Sequence, residues 1–159
     1  MDAASLRELA GSIKSPRLRR LLDDWTRWRG ERLMPSRGDF LPEDIRYVLG
    51  HVILHEVATR EPLRFRYRLI GSLVVARRGF DFTGRYLDEH PSADVREVVT
   101  TINERVTREK CPLLWRLDVN DIDHRMRHCE VLSLPLSADG VDVDIILAVQ
   151  LFDDEERSR

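Results

Sequence analysis

The polar residues with the clearest chemical potential are His128 and Glu130. Side chains alternate between the two faces of a strand, so both lie on one face of a predicted strand over residues 125–136, together with three leucines. If that face lines a cavity, the imidazole and the carboxylate are placed to bind a ligand, because a buried carboxylate needs a partner. If the first half of the strand projects beyond its neighbours, both groups are solvated. The sequence leaves both interpretations open.

A row of arginines is the second unusual feature. Residues 64–70 alternate, so that Tyr67 shares one face with apolar residues while Arg64, Arg66 and Arg68 share the other. Like charges on one sheet face repel each other unless acids or phosphates face them. The row therefore pairs with acids of the N-terminal helix or of a neighbouring strand, or it binds a protein or phosphate partner. We do not expect nucleic acid, because no aromatic residues interleave with the arginines.

Signatures of catalysis and of metal binding are absent from the sequence. There is no Gly-x-Ser-x-Gly nucleophile elbow. His-Glu-x-x-His and paired Cys-x-x-Cys spacings are missing as well. Cys111 and Cys129 are too few for a disulfide framework, so we expect reduced, partly buried thiols. We therefore predict no catalytic residue, no bound metal and no enzymatic activity.

The length and net charge of the chain limit the number of domains and the classes of partner. The chain has 159 residues and a formal net charge of −2, which fits one domain and argues against a whole-surface nucleic-acid binder. The net charge is small because two basic segments, at residues 1–37 and 60–86, nearly cancel an acidic segment at 137–159. There is no secretory signal and no apolar run long enough to cross a membrane. We expect a cytoplasmic protein without a membrane partner.

The elements that must position these residues begin with helices. A short helix is predicted over residues 5–13, and a longer one begins at Pro16, with Ser15 as its cap. The second helix carries one apolar stripe at helical spacing, formed by Leu18, Leu21, Leu22, Trp25 and Trp28. This stripe packs on the chain's own sheet or contributes to a homodimer, and we predict the dimer.

The rest of the chain reads as a sheet with helices. Strands are predicted over residues 51–57, 64–70, 113–119, 125–136 and 141–152, and a long helix over 93–109. Short turns between consecutive strands make them antiparallel. We predict an α+β fold: a five-stranded antiparallel sheet, helices on one face, and an N-terminal helical extension. Its cavity would be lined by Tyr67, Ile102, Trp115, His128 and Glu130. We divide the chain into an extension (1–50), a core (51–153) and an acidic, flexible tail (154–159).

The motifs and their order also resemble a known family. The segments 21–50, 65–89 and 134–147 are similar to a bacterial family of short stand-alone PAS proteins that have an N-terminal Trp helix. The shared features are a helical Trp, a Pro-x-Arg turn, a strand that ends in Tyr-Arg-Leu-x-Gly, and a Thr-Gly-Arg turn. In this sequence they fall on Trp25, on Pro35 and Arg37, on Tyr67 to Gly71, and on Thr83 to Arg85. The resemblance covers about residues 17–152 and implies a PAS-like core.

The resemblance also implies a function. A PAS domain of this kind would be a sensory or regulatory module that binds a small ligand or a partner and signals through another protein. A ligand-free adaptor is the alternative, favoured by a filled cavity; an open cavity of a few hundred Å³ favours the sensor. We do not expect haem, because the helix 93–109 has no histidine. Nor do we expect flavin adduct chemistry, because the segment 73–90 has no cysteine.

Overall fold

The computed structural model describes residues 1–157, which form five α-helices, four short 3-10 helices and one five-stranded sheet. The helices are α1 (Ala3–Ser12), α2 (Pro16–Arg29), α3 (Ser72–Arg78), α4 (Ala93–Glu109) and α5 (Asp153–Arg157). The strands are β1 (Val52–Arg60), β2 (Leu63–Ile70), β3 (Leu113–Asn120), β4 (Met126–Leu136) and β5 (Ile145–Phe152). The strand order is β2-β1-β5-β4-β3, with every pair antiparallel, which confirms the predicted α+β fold. Within this described part, no helix is long and apolar enough to span a bilayer.

Helix α2 starts where its sequence predicts. The hydroxyl of Ser15 accepts a hydrogen bond from the Leu18 amide, and Pro16 occupies the first turn, where its missing N–H costs nothing. The helix ends at Gly30, whose φ of 57° lies in the region that favours glycine. The beginning and the end of this helix are therefore both encoded locally.

The apolar stripe of α2 packs inside its own chain. Four of its members are buried: Leu18, Leu21, Leu22 and Trp25. The indole N–H of Trp25 donates to the carbonyl of Pro135 at 3.0 Å, which ties the helix to β4. Trp28 is partly buried and stacks on Phe40, with ring centroids 4.4 Å apart. The assignment of this stripe to a dimer surface is therefore wrong, because the side chains that would form it are already covered.

The sheet is covered on both faces. Successive residues of β4 alternate, so Glu130 and Leu132 face the N-terminal helices while Val131 faces α4. The face with the leucines therefore does not look into the cavity on the α4 side. Period-two alternation tells which residues share a face, but it does not tell which helical layer covers that face. Side chains from the N-terminal segment, the sheet and α4 belong to one continuous hydrophobic cluster.

Glu130 anchors the start of α2. Its carboxylate accepts hydrogen bonds from the backbone amides of Lys14 and Ser15, both at 2.9 Å. The half-exposed guanidinium of Arg116 lies 3.2 Å from one of the same oxygens. Only 6% of Glu130 is exposed, so this is a buried carboxylate whose oxygens are occupied by donors.

The loop before β5 is longer than the sequence indicated. The strand predicted from residue 141 begins at Ile145. The preceding loop is organised by Asp139, whose carboxylate accepts from the hydroxyl of Ser137 and from the amides of Val141 and Asp142. These backbone N–H groups lower the pKa of Asp139 to about 2. Side-chain hydrogen bonds to local amides compete with strand pairing, which is why the ladder starts later.

The chain ends on a helix that contacts the core. Arg77 of α3 donates to both carboxylate oxygens of Asp154, at 2.9 and 3.0 Å. His51 and Glu155 are hydrogen-bonded at 2.6 Å. Within the predicted tail over residues 154–159, Asp154 and Glu155 therefore contact the core, and the flexibility of the tail stays a prediction. Residues 158–159 lie outside the described part of the chain.

Removing the Glu130 carboxylate is expected to weaken the attachment of the N-terminal helices. The Glu130→Ala change leaves two backbone amides without an acceptor, and we expect the free energy of unfolding to fall by about 2–4 kcal/mol. Urea denaturation measures this. The matched control is Asp118→Ala, which removes an exposed carboxylate from the neighbouring strand and should have a much smaller effect. Equal losses in the two variants would contradict the role given to Glu130.

Candidate functional site

A small cavity lies between the sheet, α3 and α4. Its volume is about 50 Å³, and most of its wall is apolar. Tyr67 and Trp115 form part of the wall on the sheet side, and Val99 and Asn103 form part of it on α4. This volume is well below the roughly 300–1,000 Å³ of a typical small-molecule pocket. The cavity is therefore mostly filled by the chain's own side chains.

A buried imidazole and a buried amide meet at this cavity. Nδ1 of His55 on β1 lies 2.7 Å from the side-chain nitrogen of Asn103 on α4. Burial lowers the pKa of His55 to about 4, so the ring is neutral at pH 7. The amide then donates to an unprotonated Nδ1. This hydrogen bond joins the helical layer to the sheet across the cavity wall.

Two further polar contacts complete the wall. The indole N–H of Trp115 donates to the hydroxyl of Ser133 at 2.9 Å. The amide nitrogen of Gln150 lies 3.3 Å from the sulfur of Cys129, and burial raises the pKa of that thiol to about 11. Polar groups inside a protein are paired because an unpaired one is costly. These polar groups of the wall are therefore neutral and paired.

Aromatic rings close the cavity on its outer side. Phe80 and Phe82 lie on the segment between α3 and the 3-10 turn Leu87–Glu89, and both are partly exposed. Their ring centroids are 4.6 Å apart, and those of Phe82 and His90 are 5.0 Å apart. The segment leaves α3 through Gly79, whose φ of 83° favours glycine. The wall formed by Phe80 and Phe82 is thus carried by a connection without regular secondary structure.

His90 is held neutral within this ring cluster. It is 4% exposed, and burial, with the positive charge of Arg78 acting in the same direction, lowers its pKa to about 4. Its Nδ1 accepts a hydrogen bond from the amide of Ser92, the cap of α4. His90 therefore connects the cap of α4 to the ring cluster that closes the cavity.

Arg78 brings a charged group to the same cavity. It is the last residue of α3, is half-buried, and lines the cavity next to Phe80, with its guanidinium 5.6 Å from the ring centroid. Burial lowers the pKa of Arg78. No carboxylate of residues 1–155 lies within ion-pair distance of this guanidinium. By contrast, the preceding residue, Arg77, pairs with both Asp154 and Glu155.

The structure places the five predicted cavity residues in four different environments. Tyr67 and Trp115 line the cavity. Ile102 is half-buried and packs on the core beside it, because Val99 and Asn103 take the side of α4 that faces the cavity.

The other two predicted cavity residues lie elsewhere, which corrects their assignment. Glu130 is buried on the opposite face of the sheet, at the start of α2. His128 is 66% exposed and pairs with Asp118 at 2.7 Å. The hydrogen bond to Asp118 raises the pKa of His128. His128 lies two residues before Glu130 on the same face of β4, at a position that the N-terminal helices leave exposed. It is therefore solvated, as the second interpretation of the sequence allowed.

The sequence missed several residues of the cavity wall. Among them are His55, Arg78, Phe80, Phe82, His90, Asn103 and Gln150. One signal was present: Asn103 follows Val95 and Val99 at intervals of four, so a polar residue continues an apolar helical row. An amide in that position needs an internal partner, and His55 supplies it.

The arginine row is paired within the chain. Arg64 binds Asp88 at 2.7 Å, and Arg66 and Arg68 both face Glu56 on β1. This confirms the prediction that the row pairs with acids of the same chain. Glu56 is the predicted partner on a neighbouring strand. The guanidiniums are substantially exposed, so these pairs contribute little to stability.

Metal-binding geometry is not found in the part of the chain that the structure describes. No group of three or more His, Cys, Asp or Glu side chains is placed to hold an ion there. The polar groups at the cavity are instead hydrogen-bonded to one another. The chemistry that this site offers is recognition through hydrogen bonds, ring contacts and one positive charge.

The fold is a five-stranded antiparallel sheet covered by helices, and the comparison with family models identifies its family. A model described as PAS domain matches residues 13–150. The chain therefore belongs to the PAS domain family. The match begins upstream of α2, so the N-terminal helix that covers the second face of the sheet is part of the matched region.

Solved structures support the same fold. The LOV protein of Rhodobacter sphaeroides is 13% identical, with a TM-score of 0.52 over 73% of this chain and 70% of that one. The PAS domain of Bordetella pertussis BvgS is 18% identical, with a TM-score of 0.52 over 69% and 84%. A light-oxygen-voltage domain studied with a flavin analogue is 12% identical, with a TM-score of 0.51 over 73% and 87%. At these identities the likeness concerns the fold. No curated protein matches the chain.

The buried neutral histidines predict a specific acid sensitivity. Between pH 6.5 and about 4 the unfolded chain protonates His55 while the folded chain does not, so stability falls as pH falls through this window. One such histidine contributes a slope of up to about 1.4 kcal/mol per pH unit. We expect His55→Gln to reduce the slope measured by urea denaturation at several pH values.

His128→Gln is the control for this pH series. The raised pKa of His128 makes its contribution opposite in sign: stabilising at low pH and lost as pH rises through the folded pKa. Its removal should therefore not reduce the acid-linked loss of stability. An unchanged slope in His55→Gln would contradict the assignment of His55 as a buried neutral ring.

Proposed function

We propose that the protein is a PAS sensory module that binds a small molecule between α4 and the sheet and signals through another protein. The observation that carries this proposal is the His55–Asn103 pair at an apolar cavity that Phe80 and Phe82 close. Polar groups are expensive in a core, and apolar side chains would fill the same space at lower cost. A polar pair beside a cavity is a typical means of orienting a ligand.

The cavity needs to enlarge before it accepts an organic ligand. At about 50 Å³ it has space for one or two water molecules. Phe80 and Phe82 are the wall residues best placed to move, because their segment lies outside helices and strands and both rings are already partly exposed. Ligand entry would then be coupled to a displacement of this segment, which gives the module two conformations that a ligand distinguishes.

A ligand-free adaptor is the second candidate, and the small cavity favours it. Under this reading the filled interior is permanent, and a protein partner binds to the surface. The paired arginine row is less suited to that role, because its charges already have internal partners. Ligand binding measured directly separates the two candidates.

Flavin does not fit this conformation. One neighbour was studied with a flavin analogue, which raises the question for this chain. A cofactor of that size needs a pocket of several hundred Å³. The available volume is about 50 Å³, and Cys129 is a buried thiol with a pKa raised to about 11. We therefore propose a colourless small ligand, and an absorption spectrum of the purified protein tests this directly.

A homodimer remains a prediction of the proposal. The stripe of α2 is buried in its own chain, so a dimer would use a different surface. Multi-angle light scattering at micromolar concentration is expected to give the mass of two chains. The mass of one chain at that concentration would contradict the prediction. Signalling would then depend on a partner of another kind.

Filling the cavity tests the proposed site. Ala148 is 4% exposed, lies on β5 and faces the cavity, so Ala148→Val adds methyl groups in the empty space. We expect it to abolish fragment binding, detected by ligand-observed NMR, while the free energy of unfolding changes by less than about 1.5 kcal/mol. Ala76→Val, at an exposed position of α3, is the control and should bind as the unaltered protein does. Equal binding by both variants would refute the location of the site.

A further inference from the structure

The cavity contains one charged group to which residues 1–155 supply no counter-ion. Arg78 lines the cavity, and its positive charge acts on Tyr67, His90 and Cys129. Asp94 and Asp118 line an outer groove that Arg78 also reaches, but neither carboxylate is within ion-pair distance of it. Among the described side chains, the neighbours of this guanidinium are therefore neutral.

The other titratable groups of the wall cannot supply the missing charge. His55 and His90 have pKa values lowered to about 4, so both are neutral at pH 7. Burial raises the pKa of Tyr67 to about 12, so its hydroxyl is protonated. The wall as a whole therefore carries one positive charge. A half-buried cation without an acidic partner loses part of its hydration, so an anion that enters the cavity would gain from pairing with it.

The adjacent arginine shows that counter-ions are available in this part of the chain. Arg77 is one residue earlier on α3 and binds two carboxylates, Asp154 and Glu155. Arg78 points to the other side of the same helix, toward the cavity, where no acid is provided. The difference between the two arginines is one of direction.

We propose that the ligand of this cavity is a small organic monocarboxylate. Its carboxylate pairs with Arg78, and its apolar part lies among Tyr67, Phe82 and Trp115. The inference rests on the proposed function, because it requires that the cavity opens. A single negative charge matches the single cation, whereas a phosphate carries about −1.5 to −2 at pH 7 and would leave excess charge in an apolar wall. The guanidinium also offers two parallel N–H donors to a carboxylate.

The test uses benzoate and benzamide, which share a shape and differ in charge. Both are titrated into the full chain and followed by NMR. We expect benzoate to bind about tenfold to a hundredfold more tightly, and Arg78→Gln to remove that preference while benzamide binding is kept. Arg85→Gln, at an exposed position on the segment that follows α3, is the control and should retain the preference.

The outcomes separate this inference from the proposed function. Benzamide binding as tightly as benzoate, with both lost in Ala148→Val, overturns the carboxylate assignment and supports the cavity as a ligand site. Binding of neither probe at millimolar concentration overturns the proposed function and this inference with it. A benzoate preference that persists in Arg78→Gln places the anion elsewhere and overturns the assignment.

A second measurement tests Arg78 without any probe. If the charge is kept for a ligand, Arg78→Met should leave the midpoint of thermal unfolding unchanged or raise it, because an apolar side chain of similar length fits the same wall. Arg77→Met, which breaks two ion pairs, should lower it. A fall in Arg78→Met as large as that in Arg77→Met would make Arg78 a structural residue and overturn the inference.

Discussion

The attachment of the N-terminal segment to β4 is the constraint on which the arrangement of the molecule depends. The carboxylate of Glu130 accepts the amides of Lys14 and Ser15, and the indole of Trp25 donates to Pro135 a few residues further along the same strand. Because of these hydrogen bonds, α2 covers one face of the sheet. Because side chains alternate along a strand, they also decide that Val131 and its neighbours face α4. The cavity can therefore form on the α4 side only.

Polar side chains on the cavity side are compatible with a stable core because nearly all of them are uncharged and hydrogen-bonded. His55 is fully enclosed, yet its ring carries no charge and has an amide partner from α4. His90 is likewise neutral and accepts an amide hydrogen bond at the cap of that helix. Arg78 differs from both, since it keeps its charge and has no acidic partner among residues 1–155. It is the charged group of the wall with which the proposed carboxylate would pair.

Local features of the sequence predicted the helices and strands. They did not predict which helices cover which face of the sheet, because that depends on contacts between residues far apart in the chain. Helix α4 has its predicted range, because Ser92 caps it and its valines follow helical spacing. The alternation of β4 was also recognised, but it does not show which face meets which helices, so Glu130 was assigned to the wrong side. Asn103 was missed because its partner, His55, lies on a strand far away in the sequence. Loop residues such as Phe82 were missed because no periodicity describes them.

Helix α3 links the cavity to the end of the chain. It is seven residues long and ends in two arginines that point to different sides. Arg78 lines the cavity, while Arg77 holds Asp154 and Glu155 of α5. A helix of two turns is too short to absorb a displacement internally, because its backbone hydrogen bonds span most of its length. A ligand that draws Arg78 inward therefore acts on the ion pairs of Arg77 as well. Under the proposed function, the contact between α3 and α5 would be a route by which occupancy of the cavity alters a surface that another protein recognises.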